Sequence, residues 1–546
     1  MDDTPVVLGI NRDRHASVCL MHGSHVQWAI QKERLTRHKH HPGEPGDMEA
    51  FYLPHLSGLE RPLDVLVECH ASGAVDDTVA GDDGDRVLAF ARGARRARIP
   101  RHLAQAVGAF HPSPFREAAV MVVGGRGSLG ADGRREVASC HRVDRERIAC
   151  IGRQLETDGD RHAAGLGMFY ARLTQALFPG QGNEGKVTDL APYGDPHALG
   201  LPPLEVDGMQ VAIPRAWPAL LEDADRFRFG FGSPKASFTD CANLAAAGQR
   251  AFEDALLALA RWLHGRTGLD DLCLTGGAAL NGAANARLLR EGPFRRMFVP
   301  PAPGAAGAAL GCALYGLLEL AGRSVDFRWT HDYLGPAPQL ADIEAALDGA
   351  SDLIVEHPRG RDALCARMLD LLCSGRVVGL YQGRSEFGPR GLGHRSILAD
   401  PRRERMRDWI NVRVKEREWF RPFAPMVAEE RASQYFDLRA PSPFMQFAVP
   451  VRSSVMPLLA AVTHVDGSAR LQTVGPSDDP VLRALLAGFE VRTGVPVLLG
   501  ASLCGRHEPL IETPQEAVAA FRRLPLHGLA MPPYLVMKRQ EPGLPA

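Results

Sequence analysis

Residues 383–425 read GRSEFGPRGLGHRSILADPRRERMRDWINVRVKEREWFRPFAP. Its cations include Arg384, Arg390, Arg395, Arg402, Arg403, Lys415, Arg417 and Arg421, set among glycines, prolines and fewer carboxylates. Guanidinium forks hold phosphate in a bidentate way, and glycines let the backbone approach a ligand closely. The two basic, glycine-bearing ends flank an expected helix over 403–414. A charge run usually ends as solvated surface, but Phe387, Trp419, Phe420 and Phe423 interleave this one. The pattern points to a site for a phosphorylated small molecule and away from a duplex-binding face.

Working outward, a helix at Leu364–Leu372 and a strand at Val377–Tyr381 lead into the stretch. Beyond it lie Ala461–Val474, a helix at Pro480–Thr493, a strand at Val495–Leu499 and a helix at Pro514–Arg523. A helix and strand over Leu340–Pro358 link this α/β unit to what precedes it. At the other end of the chain, Val6–Ile10, Ser17–Met21 and His25–Ala29 alternate with turns and read as a β-meander. Lys32–His41 reads as a solvated basic loop, because its histidines lack the carboxylates or helical spacing that would fix a metal. Val75–Arg101 runs from an acidic, glycine-rich loop to a basic surface helix. Ala118–Val123 is a buried strand, and Arg161–Phe178 a helix with Leu166, Phe169, Leu173 and Leu177 on one face. Gly182–Gly194 reads as a loop and Ala242–Thr267 as a long amphipathic helix. The strand Leu272–Thr275 ends in Gly276–Gly277, a turn that can hold phosphate at a helix N-terminus. A further helix starts over Gly304–Leu318.

At 546 residues the chain has room for two to four domains. A formal net charge of −1 excludes bulk attraction to nucleic acid or anionic membrane. No apolar run is long enough to span a bilayer, and the N-terminus lacks the basic and apolar regions of a signal peptide. Ten cysteines without a CxxC pair read as reduced thiols, which places the expected location in the cytoplasm.

GRSEFGPRGLGHRSILADPR and EWFRPFAP resemble the signature of the O-carbamoyltransferases of antibiotic and nodulation-factor biosynthesis. LGINRDRHASVCL, QKERLTRHKH, NEGKVTDLAPYGDP, LTGGAALNGAANARLL and AVTHVDGSARLQTV match in the same order, so the resemblance covers nearly the whole chain. It implies an α/β protein with an actin-like, two-lobed domain over residues 1–335. A YrdC-like α/β domain over 336–546 would form carbamoyl-adenylate from carbamoyl phosphate and ATP, with magnesium accompanying the ATP. Arg390, Lys415, Arg417, Arg421 and His464 fall where catalytic cations are expected. Arg384, Gly388, His394, Arg395, Ser396, Asp466, Arg470 and Ser502 fall where the substrates bind, as do Gly276 and Gly277 in the first domain. His162, Glu184 and Lys186 also match. The partner is a small-molecule acceptor, a hydroxyl or amine of a specialised metabolite, with no nucleic acid and no membrane; a homodimer is left open.

The departures are as informative. The usual histidine pair of the first domain is replaced by Arg101 and Gln105 in RHLAQAVGAF, with His102 between them. Gly124 and Ala305 stand where carboxylates are expected, and the early H-D pair is Arg14–His15. An arginine is no ligand and repels a dication, so no transition metal is expected there. His15 and His162 are then the candidates for a side-chain base. Near the C-terminus, LGASLCGRHEP carries Gly500 and Cys504 where the resemblance implies two amides. Two alternatives stay open: an adenylate-forming enzyme turned to another small acid, and a non-catalytic homologue partnering an active carbamoyltransferase.

Overall fold

The structure, a computed structural model, describes residues 4–56, 59, 61–70, 91, 93–125, 127–130, 132–157, 165–222, 226–229, 237–540 and 542–544. It divides into two units: Met1–Thr36 with His40–Trp329, and Thr330–Ala546 with Arg37–Lys39.

In the first unit, β1 (Val6–Asn11), β2 (Ser17–His22), β3 (His25–Gln31), β4 (Val65–His70) and β5 (Arg95–Pro100) form one sheet in the order β3-β2-β1-β4-β5. β1 runs antiparallel to β2 and parallel to β4, which is parallel to β5. A second sheet contains β6 (Glu117–Val123), β7 (Arg134–Asp144) and β8 (Ile148–Thr157). After a small hairpin of β9 (Glu205–Asp207) and β10 (Gln210–Ala212), β11 (Asp271–Thr275) and β12 (Arg296–Phe298) complete it. Its order, β8-β7-β6-β11-β12, repeats that of the first sheet, with β6 antiparallel to β7 and parallel to β11. The same strand order with the same senses, occurring twice, is the two-lobed actin-like architecture. β1 is buried on both faces, which explains its unbroken apolar run. Helix Ala308–Tyr315 lies against it so closely that a Cβ on Gly9 would overlap the backbone of Ala309 and Ala313. The same helix crosses helix Arg101–Phe110 at Gly108 and Gly311, where only glycine lets the two backbones meet.

Three expectations are corrected here. The expected basic surface helix is the strand β5, paired with β4 from Val65↔Arg95 to His70↔Pro100. Pairing overrides the helix preference of its arginines, and Pro100 stops the following helix from extending back through it. The acidic half, Val75–Arg86, lies outside the described residues, as do residues 161–164. Within the expected loop Gly182–Gly194, Glu184–Leu190 is a helix that buries Val187 and Leu190. Lys32, Glu33 and Arg34 are not solvated: they open a short helix and are 0%, 5% and 1% exposed.

The second unit is built on one mixed sheet. Its strands are β13 (Leu353–Glu356), β14 (Val378–Tyr381), β15 (Arg395–Ala399), β16 (Ala424–Ala428), β17 (Phe447–Pro450), β18 (Ser468–Val474), β19 (Val497–Ser502), β20 (Gly528–Met531) and β21 (Tyr534–Lys538). The order is β13-β21-β20-β14-β15-β19-β16-β18-β17. β14–β20 and β16–β18 pair in parallel, and the other neighbours are antiparallel. Helix Pro480–Thr493 begins on an Asp479 cap with proline in its first turn and ends at left-handed Gly494. Helix Pro514–Arg523 opens on a Thr513–Glu516 capping box. The helix expected over 403–414 is α-helical for Glu404–Trp409 and widens to a π turn over Ile410–Val414. Among the described residues, no helix is long and apolar enough to cross a membrane.

Candidate functional site

The segment between β14 and β15, residues 382–394, is the glycine- and arginine-bearing loop. A carboxylate that composition alone does not flag holds its shape. Buried Glu386 accepts, on Oε1, the backbone N–H of Leu392 at 2.7 Å, of His394 at 2.9 Å and of Arg395 at 3.2 Å. Further loop N–H groups are also claimed within the unit. Gly388 donates to Asp332 Oδ2 at 2.7 Å, Gly391 to Ser502 Oγ at 3.0 Å and Gly393 to Ser396 Oγ at 2.8 Å. Gln472 Nε2 donates to the Leu392 carbonyl at 2.7 Å.

Cross-strand register decides which side chains share a face. Ser396 opposes Ser502, Gly500 opposes Ala424, Leu498 opposes Met426, and Met426 opposes Gln472. By the two-residue alternation of strands, Ser396, Ser502, Gln472 and Arg470 therefore lie on one face, beside the loop. Gly500 lies on it too, and a Cβ there would stand 2.5 Å from Met426 Cε. The room an amide side chain would need is taken by that methionine.

The cations expected to face phosphate divide into two groups. Arg395 is fully buried over the Tyr381 ring and donates to the carbonyls of Gln382 at 2.6 Å and Gly383 at 3.1 Å. Arg384 donates to Gly335 and Leu334 carbonyls, both at 2.8 Å. Arg417 donates to Asn411 Oδ1 at 2.7 Å and covers Phe423. Lys415 Nζ donates to the carbonyls of Ser502 at 2.5 Å and Cys504 at 2.8 Å, with Cys504 Sγ 3.5 Å away. Burial pulls Lys415 below its usual pKa; the Cys504 thiol opposes this and Arg417 adds to it. These four brace the backbone around the face. Arg390, Arg421 and Arg470 are half-buried. His464 and Asp466 belong to the turn before β18, where Asp466 Oδ1 accepts from Ser468 N and Oγ at 2.9 and 2.7 Å.

His394 is clamped on three sides. Nδ1 lies 2.6 Å from the Arg384 carbonyl and Nε2 3.2 Å from Asp479 Oδ2. Tyr333 stacks on the ring at 3.5 Å between centroids, 3° from parallel. Asp479 Oδ1 accepts from Leu482 N at 2.7 Å and from Gln382 Nε2 at 3.0 Å. Burial works against ionising Asp479, but His394 and these donors outweigh it and hold its pKa below the usual carboxylate value. An Asp-Pro pair opening a helix is a sequence signal for that cap. Glu386, Asp332 and Tyr333 carry no such signal.

In the first unit, the positions of the departed ligands come together by other bonds. Buried Arg101 forms an ion pair with half-buried Asp13, and its backbone N–H donates to Ser128 Oγ at 2.9 Å. Burial, with Arg135 adding, lowers the Arg101 pKa to about 10 against Glu136. Gln105 Nε2 lies 3.4 Å from the Pro303 carbonyl, which also accepts from Thr275 Oγ1 at 2.9 Å and Gly276 N at 2.7 Å. Gly276 has φ +90°, and a side chain there would strike Val123, so the turn requires glycine. Gly277 opens onto free space. His102, facing away from the pair, has Nδ1 3.1 Å from Ser139 Oγ. Burial first and Arg101 second hold it well below the usual histidine pKa, so it is a neutral imidazole. A guanidinium with its own carboxylate and an amide on a carbonyl do not fit the resident metal that the resemblance implies at these positions. His162 lies outside the described residues. His15, 18 residues before Glu33, instead faces His40.

A model of the carbamoyltransferase N-terminus matches residues 94–314, and one of the carbamoyltransferase C-terminus matches 369–538. Protein sll1178 of Synechocystis sp. is 33% identical, over 98% of this chain and 97% of its own. Nodulation protein NolO of Bradyrhizobium diazoefficiens is 37% identical over 80% of this chain and 78% of its own. NolNO of Sinorhizobium fredii is 38% identical over 81% of this chain but only 64% of its own. Among solved structures, HypF in its phosphate- and nucleotide-bound form aligns at TM-score 0.39 and 13% identity, covering 59% of this chain and 47% of that one. ROK hexokinase from Thermus thermophilus aligns at 0.30 and 17%, covering 58% and 99%. Both likenesses are loose, and the fold rests on the repeated strand order.

Proposed function

The chain belongs to the carbamoyltransferase family and is an enzyme of carbamoyl transfer; from that premise we propose that its second unit makes carbamoyl-adenylate. Carbamoyl phosphate is hydrolysed to carbamate and phosphate. A carbamate oxygen then attacks the α-phosphorus of ATP, which arrives with magnesium, and pyrophosphate leaves. An acceptor hydroxyl or amine of a small specialised metabolite takes the carbamoyl carbon, AMP departs, and the acceptor's proton passes to a base.

The observation that supports this reading is the shared face of Ser396, Ser502, Gln472 and Arg470 beside the 382–394 loop. Polar groups on paired strands are fixed before substrate arrives, and preorganised charge lowers the barrier without reorganisation. Arg384, Arg395, Lys415 and Arg417 hold the backbone around that face. Arg390, Arg421 and Arg470 are assigned to the phosphates of the two anionic substrates, in the manner of phosphoryl-transfer sites. The test is incubation of the whole chain with ATP and carbamoyl phosphate, measuring pyrophosphate and AMP-derived product. Carbamoyl-phosphate-dependent pyrophosphate release is expected; none with either substrate omitted. Pyrophosphate release that ignores carbamoyl phosphate, but follows another small acid, would transfer the reading to a different adenylate.

A further inference from the structure

We propose that His15, Glu33 and His40 form a binding site for a divalent metal ion of the zinc class, one that replaces neither Arg101 nor Gln105 and does not rest on the carbamoyl-transfer reading. Ligand atoms of the three residues all lie within 4.8 Å of one another, and among the described residues no other such group of histidine, cysteine and carboxylate occurs.

The distances suit an ion. His15 Nδ1 and His40 Nδ1 are 3.3 Å apart, with the rings edge to face. Two imidazole nitrogens, each about 2.05 Å from a tetrahedral ion, stand about 3.3 Å apart. Glu33, 5% exposed, supplies the carboxylate, and one of its oxygens already accepts the His40 N–H at 2.7 Å. Two histidines and one glutamate are a known zinc donor set that leaves the fourth position for water or a ligand. Arg34 adds a cation beside this carboxylate, its Nε 4.0 Å from Glu33 Oε1.

The backbone is committed to this arrangement. His15 and His40 both adopt left-handed φ, at +58° and +62°. Non-glycine residues in that region persist only where their surroundings enforce it, and such strain gathers at functional sites. Buried Asn11 enforces the first, donating to the His15 carbonyl at 3.0 Å. Glycine at 182, itself at φ +72°, admits the His40 ring, since a Cβ there would run into Nε2. A ligating imidazole has its lone pair committed, so the site also gives His15 a task other than the free base expected from the sequence.

The experiment uses the whole chain, stripped with chelator and titrated with Co2+, then with Zn2+. One equivalent of Co2+ with the intense visible bands of a four-coordinate site is expected, displaced by Zn2+ and accompanied by a rise in Tm. H15N and H40N retain a residue that tolerates left-handed backbone, so each should fold without metal. Each should weaken Zn2+ binding more than about 100-fold, beyond the 10–100-fold that losing a mere supporting group produces. E33Q should weaken it while keeping an acceptor for the His40 N–H. No stoichiometric uptake by the parent chain overturns the proposal outright. So does uptake that H15N and H40N leave unchanged, which would locate the ion elsewhere. Should a variant not fold, the Co2+ spectrum and stoichiometry of the parent chain decide.

Discussion

Asp479 offers a clean separation of charge from shape, because its two oxygens do different work. Oδ1 caps the helix and takes Gln382, while Oδ2 faces only His394 among the bonds given above. Asp479→Asn keeps Oδ1 and the cap, since Asn and Asp cap equally well. It exchanges a charged hydrogen bond for a neutral one, a loss of about 1–2 kcal/mol. Asp479→Ala removes the cap, worth about 1 kcal/mol, and leaves His394 Nε2 without this hydrogen-bond partner, about 1–3 kcal/mol more. The alanine variant should therefore lose about 2–4 kcal/mol. Hydrogen exchange read on peptides covering residues 382–394 and 480–483 reports this locally, without assuming that the whole chain unfolds at once.

The pH dependence follows from the direction of the Asp479 shift. Its folded pKa is lowered below an ordinary value of about 3.9, so its contribution is complete above that value. The contribution fades as pH falls toward the lower, folded value, where both states become protonated. The gap between parent and Asp479→Asn should close in acid, as Asp479 takes up its proton. Equal losses for the two variants at pH 7, or a gap that survives the whole acid range, would refute the assignment of an ion pair to Oδ2.

Three further outcomes are expected. Arg390→Ala should weaken binding of ATP or carbamoyl phosphate by about 1.5–3 kcal/mol in calorimetry, the worth of a charge-assisted contact; unchanged affinities for both would remove Arg390 from the site. Gly500→Asn, which restores the amide that the family resemblance implies, should destabilise by about 1–3 kcal/mol through collision with Met426, and Gly500→Asn with Met426→Ala should recover most of it; purely additive losses in denaturant melts would contradict that packing. Arg101→Met should lower stability by about 1–3 kcal/mol by leaving half-buried Asp13 without its partner, and the double change with Asp13→Asn should regain stability.

What the sequence discloses here is local, and what it withholds is long-range. The three strands from Val6 to Gln31 and the helices at 480–493 and 514–523 are legible because caps, prolines and apolar runs lie within a few residues of one another. The cationic string at 383–425 is equally visible, but not the destination of each cation. Arg395 looks identical to Arg390 in sequence, yet it spends its donors on Gln382 and Gly383 carbonyls beneath the loop. Glu386 is legible as a carboxylate and illegible as the acceptor of three loop N–H groups. β5 is misread because its partner strand lies about 30 residues earlier, and propensity yields to pairing. The histidine-rich run at 38–41 lacks a carboxylate only when read linearly; folding delivers Glu33 to it and His15 from another turn.

That turn ties the departures of the first unit together. Asn11 fixes its course, Asp13 leaves it to neutralise Arg101, and two residues later His15 leaves it to meet His40. An unpaired arginine at position 101 would add positive potential around any nearby dication, an effect that grows as the surroundings become drier. Paired with Asp13, it contributes little net charge, and Glu33 remains beside the His40 N–H that it accepts. The change from histidine to arginine at 101 and the presence of histidine at 15 are therefore compatible through one carboxylate between them. Removing Asp13 alone would test that link: Arg101, at the start of its own helix, would lose the counter-ion that the His15 turn supplies.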